Sequence, residues 1–193
     1  MNVLITVINQ GWIHKSVCEA IQVIAADPRH TKTLMWPAIA PPYYNALNQI
    51  AKTMRGGTWD YWLSIDDDNA PTRNPLDLIE LDKDFIGLPT PIQREGLKWN
   101  VFNRDASEWK DCHGLQHVPL VGSGCFLVHR RVLEKIYNAF FPGYTQEGIR
   151  TLGPDMAFCL RAAEAGFKVW THFDYPCQHQ KEIDLLTLLQ ERN

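Results

Sequence analysis

The chain has 193 residues, 45% of them hydrophobic and 21% charged, with a formal net charge of -3 at pH 7. These are globular proportions that exclude extensive disorder, and the net charge offers no overall attraction for a nucleic-acid backbone or an anionic membrane. The length suits one α/β domain with a sizeable core and is short for two, so residues 1–193 are expected to form a single domain whose functional groups share one site.

The run Val3-Leu4-Ile5-Thr6-Val7-Ile8 is short, apolar and β-branched, the pattern of a buried strand. Helical spacing of Val17, Ala20, Ile21 and Ile24 predicts a helix from Ile13 to Ala26, closed by Asp27-Pro28. A strand over Thr31 to Trp36 follows. After the prolines at 37, 41 and 42 comes a helix from Tyr43 to Met54, ended by Gly56-Gly57, and then a strand from Trp59 to Ile65. The order β, α, β, α, β predicts a mostly parallel central sheet with helices on both faces, where ligands bind outside the carboxyl ends of the strands. Farther along, a short helix is predicted near Pro75 to Leu81, a strand from Asp84 to Leu88, and an irregular stretch from Pro89 to Pro119 suited to a lid or acceptor loop. A strand through Cys125 to Val128, a helix from Arg131 to Phe140, a helix from Pro154 to Ala165, a strand from Phe167 to Thr171 and a last helix from Glu182 to Glu191 complete the pattern.

The five cysteines, Cys18, Cys112, Cys125, Cys159 and Cys177, are odd in number and contain no close CxxC pair. That argues against a disulfide framework or a structural zinc site and for a reducing compartment. Met1 leads straight into a strand, and the apolar stretch Val118 to Val128 is broken by Gly122 and Gly124. The expectation is a cytoplasmic protein without a membrane span.

Asp66-Asp67-Asp68 stands directly after the third predicted strand, where carboxylates stacked at a sheet edge call for a cation. If extended geometry persists, Asp66 and Asp68 share one side and Asp67 takes the other. Magnesium or manganese, which prefer oxygen donors and keep positions for substrate phosphates, would suit them. A solvated turn built on Asn69, Pro71 and Asn74 accounts for the same residues.

The run Asp60-Tyr61-Trp62-Leu63-Ser64-Ile65-Asp66-Asp67-Asp68-Asn69-Ala70-Pro71 resembles the DxD segment of family-2-like GT-A glycosyltransferases. Val121-Gly122-Ser123-Gly124-Cys125-Phe126-Leu127-Val128 is similar to that family's small-residue loop and strand behind the sugar. Gly153-Pro154-Asp155 and the helix through Gly166 are similar to its "ED…F…R…AG" helix, although Pro154 replaces the first acidic residue. The resemblance spans Met1 to about Asp184. It implies a single GT-A (Rossmann-like) domain that uses a nucleotide-diphosphate sugar, UDP-sugar being favoured over GDP-sugar, with Mn2+ or Mg2+. It further implies that Asp66 lies near the ribose or sugar, that Asp67 supports it, and that Asp68 and the late His179 hold the metal. Thr6 and Asn9 fall where the base would bind, Asn45 at a polar donor-site position, and Gly122, Ser123 and Gly124 behind the sugar.

Asp155 is then the base of an inverting transfer, or else an ordinary helix-start aspartate. The three small residues either admit a sugar or make a tight bend. Trp99 and Trp109 would stack on sugars or fill core, whereas Trp170 suits core; Cys112, His113 and His117 are read as loop residues. Two other activities fit parts of the pattern: a metal-dependent phosphohydrolase or nucleotidyltransferase, and a catalytically silent sugar-nucleotide binding module. The acceptor is left open among a glycan, a protein, a small molecule and a modified DNA base.

Overall fold

The computed structural model describes residues 1–37, 42–93, 96–145 and 150–181. Its first half alternates as the sequence predicts: β1 (Asn2–Ile8), α1 (Lys15–Ala26), β2 (Thr31–Met35), α2 (Tyr43–Gly56) and β3 (Tyr61–Asp66). A turn at Asp67 and Asp68 leads to β4 (Asn69–Pro71), and a 3-10 helix over Pro75–Leu81 leads to β5 (Phe85–Gly87). The stretch expected to be irregular contains β6 (Pro91–Gln93), β7 (Leu97–Trp99), β8 (Val101–Phe102) and β9 (Leu115–His117). It is followed by β10 (Leu120–Val121), β11 (Cys125–His129), α3 (Arg130–Lys135), β12 (Gly143–Tyr144) and β13 (Arg150–Leu152). Last come α4 (Pro154–Glu164), β14 (Val169–His172) and β15 (Cys177–His179). The predicted helix Glu182 to Glu191 lies outside the described residues.

Seven strands form the main sheet in the order β2-β1-β3-β11-β5-β14-β9. β1 is parallel to β2 and β3, and β14 to β5, whereas β11 is antiparallel to β3 and β5 and β9 to β14. All but β11 and β9 therefore point one way. Period-two alternation sends Leu4, Trp62 and Phe126 to one face, against Leu47 and Met54 of α2 and Phe158 of α4. Ile5, Leu63 and Leu127 go to the other, against Val17 and Ile21 of α1 and Leu76 of the 3-10 helix. The result is a mostly parallel α/β sheet with helices on both faces.

Local chemistry explains the boundaries. His14 caps α1 through its side chain, which accepts from the Ser16 amide, and α1 stops at Asp27 before Pro28. Gly57, just past α2, lets the Trp59 ring fold back, since a Cβ there would lie 2.1 Å from it. The predicted helix from Arg131 to Phe140 shortens to α3. Tertiary bonds replace its later turns: Asn48 accepts from the Phe140 amide, and Arg161 donates to the carbonyls of Ala139 and Phe141. His117, expected in a loop, lies on β9 opposite Trp170 of β14. All five cysteines are free thiols. Among the described residues no helix is long and apolar enough to cross a membrane.

Candidate active site

At the carboxyl ends of β3 and β5 the sheet opens into a cleft of about 440 Å³, lined in part by Asp66, Asn69, Ser123, Asp155 and His179. Sequence-distant elements meet there because β11 is reversed. Cys125, its first residue, pairs with Ile65 near the end of β3, and the Asp66 amide donates to the Gly124 carbonyl at 2.8 Å. Gly122, Ser123 and Gly124 are thus delivered to the same edge as the aspartates. Gly153 and the first turn of α4 form another wall, with Asp155 held so that its Oδ1 accepts from the Met156 amide at 2.9 Å.

Asp66 is a strongly perturbed carboxyl. Burial pushes its pKa well above the ordinary value, the Tyr43 phenol donating at 2.7 Å opposes that, and the charges of Asp68, Asp67 and Asp155 add to the rise. The same burial, with Asp66 beside it, raises Tyr43, and the nearby Ser123 hydroxyl opposes the rise. Tyr43 joins the end of β3 to the small-residue loop, and it is absent from the residues the sequence singles out. Its position at the start of α2, directly after Pro42, is the one local signal.

Asp68 and His179 meet through strand pairing. β15 runs antiparallel to β4 with His179 opposite Asn69, and the Gln180 amide donates to the Asp68 carbonyl at 2.8 Å. His179 Nδ1 lies 2.7 Å from the Pro91 carbonyl, a contact that requires a proton on Nδ1. Nε2 is left facing Asp68 Oδ2 at 3.4 Å. A backbone carbonyl that fixes the imidazole tautomer in this way is the usual support of a metal-ligating histidine. Two donors each about 2.1 Å from one divalent ion stand about 3 Å apart when adjacent in its shell, so the pair fits an ion between them. Lys181 supplies the positive charge in the structure, its Nζ 2.7 Å from Asp68 Oδ2. Among the described residues no group of three or more His, Cys, Asp or Glu side chains could hold a metal, so further donors would come from ligand oxygens and water.

Thr6, Asn9, Asn45 and Asp67 are placed elsewhere. Thr6 is fully buried, its hydroxyl accepting from the Trp62 indole at 2.8 Å, so it satisfies a core donor rather than facing the cleft. Asn9 closes the turn after β1, accepting from the Gly11 amide and donating to the Pro37 carbonyl. Asn45 is exposed on α2. Asp67 turns away from the cleft toward the loop after β1, accepting from the Gln10 amide at 3.0 Å, while its carbonyl accepts from His14 N. Burial raises the Asp67 pKa and that amide bond lowers it. Gly122 and Gly124 line the cleft, and both are required by protein neighbours. A Cβ would meet Asn100 Nδ2 at 2.6 Å in the first case and Asn69 Oδ1 at 2.7 Å in the second.

Sheet order, flanking helices and cleft position define a GT-A-like, Rossmann-type α/β fold. The structure is similar to that of A197 from STIV, with a TM-score of 0.67 and 13% identity over 94% of this chain and 87% of that one. It is also similar to GalNAc-T7 crystallised with UDP, GalNAc and Mn2+, with a TM-score of 0.53 and 9% identity over 95% of this chain and 43% of that one. No protein-family model and no curated protein sequence matches the chain.

Proposed function

We propose that this protein is a metal-dependent, inverting glycosyltransferase of the family-2-like GT-A kind, which moves a sugar from a nucleotide-diphosphate sugar to an acceptor hydroxyl. The observation that carries the reading is the convergence of Asp66, Asp155 and His179 on one cleft, with Asp68 drawn against His179 at its rim. The manganese and UDP bound by GalNAc-T7 support a divalent ion and a UDP-sugar here.

Asp68 and His179 hold the ion, which when bound supplies counter-charge to the diphosphate. Asp66, kept in place by Tyr43, binds the ribose or sugar, and Ser123 borders the sugar between two glycines. Asp155 accepts the acceptor's proton as the acceptor oxygen bonds to the anomeric carbon and the bond from that carbon to the diphosphate breaks. Pro154 beside it gives no second carboxylate, so the base role falls to Asp155 alone.

The test is to titrate manganese and a panel of UDP- and GDP-sugars into the protein and then follow nucleotide release. Metal-dependent binding of a sugar nucleotide, with slow release of the nucleoside diphosphate, is expected. Release of phosphate from nucleotides lacking a sugar would favour phosphohydrolase chemistry, and binding without turnover would favour a silent module; either result overturns the assignment.

A further inference from the structure

We infer that the acceptor is an oligosaccharide, and that the part of it remote from the reacting hydroxyl rests on a subsite built from Trp99 and Trp109. The inference depends on the glycosyltransferase reading of the cleft and adds a substrate class to it. Its basis is a row of three neighbouring hollows, a trough in outline, whose borders share residues. The catalytic cleft shares Ile92 and His179 with a neighbouring hollow of about 710 Å³, and that hollow shares Pro91 and Leu97 with a third of about 380 Å³. The trough crosses the β6–β7 hairpin, in which Pro91 pairs with Trp99 and Gln93 with Leu97. Leu97, 78% exposed, stands at the crossing.

The third hollow has the chemistry of a sugar subsite. Two partly buried indoles line it together with Lys98, Glu108 and Lys110. An indole face accepts the C–H face of a pyranose, and charged side chains beside it bond the hydroxyls. The Trp109 indole N–H is already committed to the Asp111 carbonyl at 2.9 Å, which fixes the ring and leaves stacking as its contribution. Trp99 is braced edge-on by Phe173 at 6.2 Å. Lys110 is paired with Glu108 at 3.0 Å, which leaves Lys98 as the hollow's one unbalanced charge, short of the several cations that a polyanion backbone would engage. A small acceptor would be contained within the first hollow and would leave the aromatic one unused.

The test needs neither metal nor donor. Neutral oligosaccharides of graded length, together with a single-stranded DNA and an unstructured peptide, are titrated against the protein in EDTA by calorimetry. The wild type should bind an oligosaccharide longer than a disaccharide. Trp109→Ala should weaken that binding roughly tenfold, the loss of one aromatic contact of about 1.4 kcal/mol. Trp109→Phe should recover most of it. Circular dichroism and Tm confirm that each variant is folded. Failure of every oligosaccharide to bind wild type, equal affinity in Trp109→Ala and Trp99→Ala, or binding of the DNA or peptide at the tryptophans instead would each overturn the inference. Because sugar-nucleotide titration is a separate measurement, loss of the glycan result leaves the donor reading standing, and the converse also holds.

Discussion

His179 Nε2 lies 3.4 Å from Asp68 Oδ2, and the ring's other nitrogen is committed to the Pro91 carbonyl. Two electron-rich atoms held face to face favour a cation between them. Either His179→Ala or Asp68→Asn should therefore weaken manganese binding by at least the roughly ten- to hundredfold that losing a ligand's supporting partner costs. Lys181→Ala should tighten it or leave it unchanged, because the ammonium competes for the same carboxylate oxygen. Isothermal titration with Mn2+ in the presence of a sugar nucleotide decides this. An unchanged manganese affinity in both ligand variants returns the pair to a surface ion contact.

Asp155 stands in the first turn of α4 and lines the cleft. Replacement by Asn preserves size and the oxygen that accepts from the Met156 amide, and it removes the proton acceptor. Asp155→Asn should hold donor affinity near that of the wild type while kcat falls by about 10²–10⁴. Single-turnover nucleotide release, with donor titration as the control, separates the two effects. Full turnover in this variant would require another base.

Much of the scaffold was legible because it is written locally. The β-branched run of β1, the helical spacing in α1 and the glycine pair after α2 each state one element, and their alternation states the sheet. The three aspartates at the end of β3 and the helix-start Asp155 were legible as candidate chemistry for the same reason. What depends on tertiary approach was not. The direction of β11 is invisible in Cys125 to His129, yet it brings the small-residue loop to the cleft. Thr6 sits at a strand end that the resemblance assigns to the base, but a buried Trp62 indole needs an acceptor and takes it. Tyr43 reads as one more amphipathic helix residue until Asp66 is seen beside its hydroxyl.

That hydroxyl supplies a further prediction. Tyr43 donates to Asp66 at 2.7 Å, the shortest link between α2 and the acidic cluster among the hydrogen bonds described. Tyr43→Phe keeps the ring and deletes the donor, so the variant should lose about 1–3 kcal/mol of stability, the range for leaving a buried acceptor without its partner. Donor affinity should also fall as Asp66 loses its anchor. Denaturant unfolding and donor titration measure both, and wild-type values in each would remove Tyr43 from the site.

His30, directly before β2, has both ring nitrogens buried without a hydrogen-bond partner among the described residues. Burial lowers its pKa from the ordinary 6.5, and the chain's amino terminus and Arg29 lower it further. A folded value below the unfolded one means that the unfolded state binds the proton first, so this group's contribution to stability is lost as pH falls from 6.5 through the lowered value. His30→Phe should flatten the decline of Tm between pH 7 and pH 5, and parallel wild-type and variant curves would show that the imidazole titrates alike in the folded and unfolded states.

Gly124 couples packing to the metal position without being a ligand. A Cβ there would lie 2.7 Å from Asn69 Oδ1 and 2.9 Å from Cγ, so Asn69 must move. The Asn69 carboxamide also donates to Asp68 Oδ1, so its displacement loosens the carboxylate proposed to hold the ion. Gly124→Ala is accordingly expected to cost about 1–3 kcal/mol of stability, as overpacking does, and to weaken manganese binding with both ligands intact. Gly56→Ala is the control. Nothing stands within 4 Å of a Cβ at the end of α2, and an alanine there should be neutral or slightly stabilising. Should Gly124→Ala lose stability yet keep the wild-type metal affinity, Asn69 would be a packing residue alone and the orientation of Asp68 would rest on β4–β15 pairing.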